Sequence, residues 1–143
     1  MHQSNELTIE LQAIGENESL ARIIVAAYVA KLNPTMEELS DLKVAVSEAV
    51  TNAIIHGYEG SKEGGKIRMV LSMDGRMVTI LVQDYGKGIP DIEKAMEPLY
   101  TTKPEQERSG MGFSFMEAFT NELLVESESG EGTTIIMKKM IGE

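Results

Sequence analysis

A chain of 143 residues with an ordinary apolar fraction has room for one well-filled core, so a single domain over 1–143 is expected and disorder is not the default. A formal net charge of −10 argues against direct nucleic-acid binding, which wants a basic face, and the absence of cysteine removes disulfides and thiolate metal sites. No apolar run reaches membrane-spanning length, and the polar start Met1-His2-Gln3-Ser4-Asn5-Glu6 lacks a basic leader region, so a cytoplasmic protein without membrane contact is expected.

In chain order, Leu7, Ile9, Leu11 and Ala13 alternate with polar residues and predict a half-buried strand. Gly15 to Asn17 breaks it. Apolar residues then recur at helical spacing from Leu20 to Leu32, with Arg22 among them, until Asn33-Pro34 ends the helix. Thr35-Met36-Glu37-Glu38 is a capping box that opens a second helix, with Gly57 expected just past its end. Ile67 to Met73 and Val78 to Val82 alternate around Asp74-Gly75, a hairpin signal. A short helix over 91–96 and a polar loop over 97–109 follow. Met111 to Asn121 has helical spacing, and Leu123–Glu126 and Thr134–Met140 read as two closing strands. Strands in hairpins, with helices between them, predict an α/β two-layer sandwich: a mixed, mainly antiparallel sheet with helices on one face. The ten methionines suit adaptable core filling.

Three segments carry chemistry. Glu48 and Asn52 lie four residues apart on one face of the second helix, with His56 continuing the line beside Val46, Ala49, Val50, Ala53 and Ile54. A carboxamide oxygen can ligate Mg²⁺ and a carboxylate can take the proton of an attacking hydroxyl; the same pair also suits buried polar groups that satisfy one another. His56 reads as structural, favoured near a helix C-terminus. Asp84-Tyr85-Gly86-Lys87-Gly88 ends a core strand. Its carboxylate can accept from the amino group of adenine while the glycines admit the ligand, although an Asp-rich turn has the same composition. Gly110-Met111-Gly112 at a helix start suits either phosphate binding or ordinary helix entry. Thr101-Thr102-Lys103 and Arg108 lie in the loop before it, where a cation can fold over a γ-phosphate or simply be solvated. Gly130-Glu131-Gly132-Thr133 reads first as a hairpin turn, with Thr133 within reach of a base pocket.

The order Glu48-x-x-x-Asn52, Asp84-x-Gly86-x-Gly88, Gly110-x-Gly112 and Gly132-Thr133 resembles the N, G1, G2 and Gly-Thr boxes of the GHKL ATPases, whose fold is the Bergerat sandwich. Val46 through Tyr58, together with Pro98-Leu99-Tyr100-Thr101-Thr102-Lys103-Pro104-Glu105 and Glu107-Arg108-Ser109-Gly110-Met111-Gly112-Phe113, is similar to the sporulation anti-sigma-F factor family, which are serine-protein kinases. The resemblance implies Glu48 as general base, Asn52 as magnesium ligand and Asp84 as the adenine-reading carboxylate. It implies Gly86, Gly88 and Thr133 as adenine-pocket residues, and Thr102, Lys103, Arg108, Gly110 and Gly112 as lid and phosphate positions. Arg108 would meet the γ-phosphate, and Arg22 would contact a partner.

The implied protein uses ATP/ADP and Mg²⁺, sequesters an RNA polymerase sigma factor while ATP is bound, and phosphorylates a serine of a STAS-type anti-anti-sigma factor. It would be a homodimer in the cytoplasm of a spore-forming bacterium. The same motifs admit the equivalent kinase of a general-stress sigma factor, a nucleotide-gated binding module without catalysis, and a stand-alone histidine-kinase catalytic domain. Glu48 argues against a module that only binds.

Overall fold

A computed structural model describes residues 5–58, 65–89, 112–128 and 130–142 of the chain. Strand β1 (Asn5–Gln12) stops one residue short of Ala13, and Leu7, Ile9 and Leu11 share its inward face opposite Leu71, Met69 and Ile67. Helix α1 (Glu16–Val29) starts earlier than its apolar pattern: Gly15 is the N-cap, and Asn17 donates its amide back to the Gln12 carbonyl at 2.9 Å. A 3₁₀ turn, Ala30–Leu32, completes it, and Asn33 takes a left-handed φ of 51° to turn the chain into Pro34.

The capping box forms as the sequence predicts. The Thr35 hydroxyl accepts from the Glu38 N–H at 3.0 Å and the Glu38 carboxylate accepts from the Thr35 N–H at 2.9 Å. Helix α2 (Met36–Asn52) buries Leu42, Ala45, Val46, Ala49 and Val50, a stripe at helical spacing that presses on the sheet. It does not stop at a glycine. After Asn52 the backbone widens into a π turn, Ala53–Gly57, with Tyr58 as its cap. Gly57 is therefore inside the last turn, and the wider pitch takes His56 off the register shared by Glu48 and Asn52. The His56 side chain lies outside the described residues.

Strands β2 (Lys66–Asp74) and β3 (Met77–Asp84) form the hairpin. Asp74 pairs with Met77, so the turn is Gly75-Arg76 rather than Asp74-Gly75. Gly75 supplies a φ of 62°, and the Arg76 guanidinium is anchored to the carbonyls of Ile141 and Leu32, which fixes it in the turn. Helix α3 (Gly112–Ala118) packs on α2, and strands β4 (Glu122–Glu128) and β5 (Gly132–Met140) close the chain. The expected short helix over 91–96 and the loop over 97–109 lie outside the described residues.

The sheet runs β1-β2-β3-β5-β4, and all four described pairings are antiparallel. Helices α1, α2 and α3 lie on one face, over a core of Ile67, Met69, Leu71, Val78, Ile80, Val82, Ile135 and Met137 from the inward-facing positions of the strands. This is the two-layer Bergerat sandwich. Among the described residues, the methionines Met69, Met73, Met116 and Met137 are in the core, as the filling role requires. No helix among the described residues is long and apolar enough to cross a membrane.

Candidate functional site

Between Lys139, in register with Val78 at one end, and the last row at the other, the inward face of the sheet is apolar. In that last row, Ile67, Asp84, Thr133 and Ser127 stand side by side across β2, β3, β5 and β4. Alternation explains the placement: Val78, Ile80, Val82 and Asp84 share one face of β3, so the strand that fills the core delivers a carboxylate at its end. Asp84 is 3% exposed and Thr133 is 4%, the only buried polar side chains among the described residues. Burial pushes the Asp84 carboxyl above the usual carboxylate range, while the Gly86 and Thr133 amides pull the other way. The Gly86 N–H donates to Asp84 Oδ1 at 2.9 Å.

The loop after β3 is sewn to the β4–β5 turn. Gly130 N–H donates to the Lys87 carbonyl at 2.7 Å, and Ile89 N–H donates to Ser127 Oγ at 2.6 Å. Two glycines permit this. Gly88, at φ +79°, sits so close to β4 that a Cβ there would lie 2.2 Å from the Glu128 carbonyl oxygen. Gly132, at φ +112°, would place a Cβ 2.1 Å from the Asp84 carbonyl oxygen. Gly132-Thr133, read first as a turn, is thus the start of β5 and the second wall of the Asp84 site.

Helix α2 ends at this row. Its π turn packs against β3 and β5, the strands that carry Asp84 and Thr133. Glu48 and Asn52 are half-buried on α2, bordering its buried stripe. Gly112 is buried at the start of α3, which packs on α2. Glu48, Asn52, Asp84, Gly86, Gly88, Gly112 and Thr133 thus belong to elements that adjoin one another. Thr102, Lys103, Arg108 and Gly110 lie outside the described residues. Arg22 sits in the second turn of α1, half-exposed, its guanidinium paired with Glu18 and donating to Ser19 Oγ at 3.2 Å.

Two residues that the sequence analysis did not single out complete the site. The Tyr58 hydroxyl donates to the Lys66 carbonyl and accepts from the Tyr85 N–H at 2.8 Å. It joins the end of α2's π turn to the start of β2 and to the residue after Asp84. Burial raises its pKa above the ordinary phenol value. Ser127 is the other. It was legible as a polar residue in phase with Leu123 and Val125 on the inward face of β4.

Asn52 could hold a magnesium ion. Mg²⁺ in phosphoryl-transfer sites takes one or two protein oxygens, with substrate phosphates and water filling the rest. Asn52 offers such an oxygen one turn from Glu48. No cluster of three or more His, Asp or Glu suited to a metal stands among the described residues.

Comparison with known proteins decides the family. Residues 12–139 match the model of the histidine kinase-like ATPase domain. The anti-sigma F factor of Geobacillus kaustophilus is 55% identical over 97% of this chain and 94% of its own length; that of Clostridium acetobutylicum is 56% identical over 94% and 93%.

The chain belongs to the anti-sigma F factor family.

Membership makes it an anti-sigma factor with ATP-dependent serine-kinase activity, built on a nucleotide-binding ATPase domain. Solved structures agree on the fold. The RsbU and RsbW domains of a Mycobacterium tuberculosis protein superpose with a TM-score of 0.67 at 21% identity, covering 96% of this chain and 32% of that one. The catalytic domain of histidine kinase ThkA superposes with a TM-score of 0.58 at 19% identity, covering 94% and 96%.

Proposed function

We propose that the chain, as a single domain over 1–143, sequesters an RNA polymerase sigma factor while ATP is bound and phosphorylates a serine of a STAS-type anti-anti-sigma factor. One observation carries the site: the helix of Glu48 and Asn52 ends, through a π turn, against the two strands whose buried Asp84 and Thr133 face each other in register. Asp84 accepts from the adenine amino group, Gly86 and Gly88 bring backbone close to the base, and Thr133 lines the same pocket. Asn52 would hold Mg²⁺, which would supply positive charge to the phosphates. Gly112, with Thr102, Lys103, Arg108 and Gly110, takes the phosphates, and Arg108 meets the γ-phosphate.

In the transfer, the substrate serine oxygen attacks the γ-phosphorus, the bond to the β–γ bridging oxygen breaks, and ADP leaves. Glu48 takes the serine proton. Arg22 contacts the protein partner. The exposed edge strand β1, with Leu7 40% exposed on its inward face, is the dimer contact, since an uncovered edge is a liability. The relatives' shared name supports sporulation over general stress and a cytoplasmic home in a spore-forming bacterium.

The test is Glu48→Gln. It keeps the side-chain shape and removes the base, so nucleotide binding persists while formation of acid-stable phosphoserine on the STAS partner falls by about two to four decades. Undiminished phosphorylation overturns the assignment. Sedimentation with ATP checks the dimer, and a monomer at micromolar concentration refutes the β1 contact.

A further inference from the structure

Ser127 stands at the end of the row that holds Asp84 and Thr133, and its single hydroxyl is at the centre of three contacts. Ile89 N–H reaches Ser127 Oγ at 2.6 Å, the Gly132 carbonyl lies 3.0 Å from it, and Thr133 Oγ1 lies 2.9 Å from it. A serine hydroxyl has one proton and two acceptor positions. The carbonyl of Gly132 can only accept, so it takes the Ser127 proton. The amide of Ile89 can only donate, so it fills one acceptor position. The remaining contact is then satisfied in one direction: Thr133 donates its proton to Ser127. This is the single assignment in which all three contacts are hydrogen bonds.

Thr133 has spent its proton on Ser127, so its oxygen offers only lone pairs elsewhere. Its register neighbour Asp84, when ionised, is likewise an acceptor. Resting on the nucleotide assignment above, we propose that Ser127 is a positioning residue for base selection: by accepting the Thr133 hydrogen bond it leaves Thr133 an acceptor beside the ionised Asp84. Turned together on the 6-position of a purine, such a pair takes the two hydrogens of an amino group and opposes a carbonyl, because a buried acceptor facing an acceptor leaves both unpaired.

The experiment compares ATP with inosine triphosphate, which carries a 6-oxo group and an N1–H in place of the 6-amino group and the bare N1. Binding of each is measured calorimetrically on the full chain. In Ser127→Ala the Thr133 hydroxyl is free to donate toward the base, so the preference for ATP over inosine triphosphate narrows by about tenfold, the scale of one hydrogen bond gained and one lost. Ser127→Thr keeps a hydroxyl at that position and restores the preference. Thr133→Val narrows it too, and adding Ser127→Ala to Thr133→Val narrows it no further, because both act through one oxygen.

A serine that merely secures the loop would weaken both nucleotides equally and leave the ratio at its wild-type value; that result overturns the proposal. If Ser127→Ala does not fold, Ser127→Cys supplies the same ratio, since a thiol is a poor acceptor for the Thr133 proton. Failure of the underlying nucleotide assignment has a different signature: Asp84→Asn would then bind ATP as the wild type does.

Discussion

The end of the sheet around Asp84 and the outer surface of α1 around Arg22 are built under opposite physical conditions. At the sheet end, Asp84 and Thr133 are buried and the surrounding contacts join residues distant in sequence: Asp84 beside Thr133, Tyr85 by Tyr58, Ile89 by Ser127. On α1, Arg22 is held by Glu18 and Ser19 of its own helix, and Leu20 and Ile23 are exposed nearby, Ile23 by 64%. The first arrangement is held by contacts across the fold. The second leaves apolar side chains exposed beside a locally paired cation. Changes at the sheet end should therefore disturb stability and nucleotide binding together, whereas changes on α1 should separate partner binding from both.

The hardest blow to the sheet end is Gly132→Ala. A Cβ there meets the Asp84 carbonyl oxygen at 2.1 Å, at a φ of +112° that side chains rarely adopt. Strain and overlap together cost about 3 kcal/mol or more, so denaturant unfolding should show a marked loss of stability and calorimetry a loss of nucleotide binding. Wild-type stability in this variant would mean that the close approach of β5 to the Asp84 backbone is not as described.

Asp84→Asn pulls stability and binding in opposite directions and so sharpens the comparison. Nucleotide affinity should fall for ATP and ADP alike, by roughly 1–3 kcal/mol, because the carboxamide leaves a buried donor unmatched. The apo protein should become more stable at neutral pH, since the variant buries no charge. The sign follows from the raised carboxyl pKa. Between the unfolded and folded pKa values the native state holds more protons than the unfolded state, so stability declines as pH rises through that window and stays low above it. The stability gain of Asp84→Asn over wild type should thus appear at neutral pH and shrink toward acid. A difference independent of pH would place the carboxylate in water.

Tyr58→Phe removes the hydroxyl between Lys66 and Tyr85 and leaves an amide and a carbonyl unpaired, at about 1–3 kcal/mol if water stays out. Its effect on binding should be smaller than that of Asp84→Asn, because it loosens the loop without touching the base. Equal losses for the two variants would show Tyr58 to be a direct contact. The smallest change in stability should come from Arg22→Ala, within about 1 kcal/mol, since a half-exposed pair within one helix contributes little. Sigma binding should nevertheless be lost while ATP affinity persists. Sigma binding at wild-type strength in a pull-down with ATP would move the contact surface off α1.

The sequence by itself determined the features that depend on neighbours along the chain. The Thr35–Glu38 box, the stripe on α2, the strand alternation and the Asn33-Pro34 stop are set by local geometry and by the 3.6 and 2 periods, and they appear as expected. The motif order carried the family and its nucleotide chemistry as far as single residues allow. Three features required the tertiary structure. Asp74-Gly75 looked like the hairpin turn, but the anchoring of Arg76 to Leu32 and Ile141 places Gly75-Arg76 there. Gly57 looked like a helix stop, but the helix widens and continues to Tyr58, whose hydroxyl bridges to Lys66 and Tyr85. Ser127 had no motif at all, because its significance comes from contacts with Ile89, Gly132 and Thr133 that exist only when β4, β5 and the loop after β3 come together. Periodicity reports which face a side chain occupies; which groups it meets there is decided by strand order and register, and those are properties of the assembled sheet.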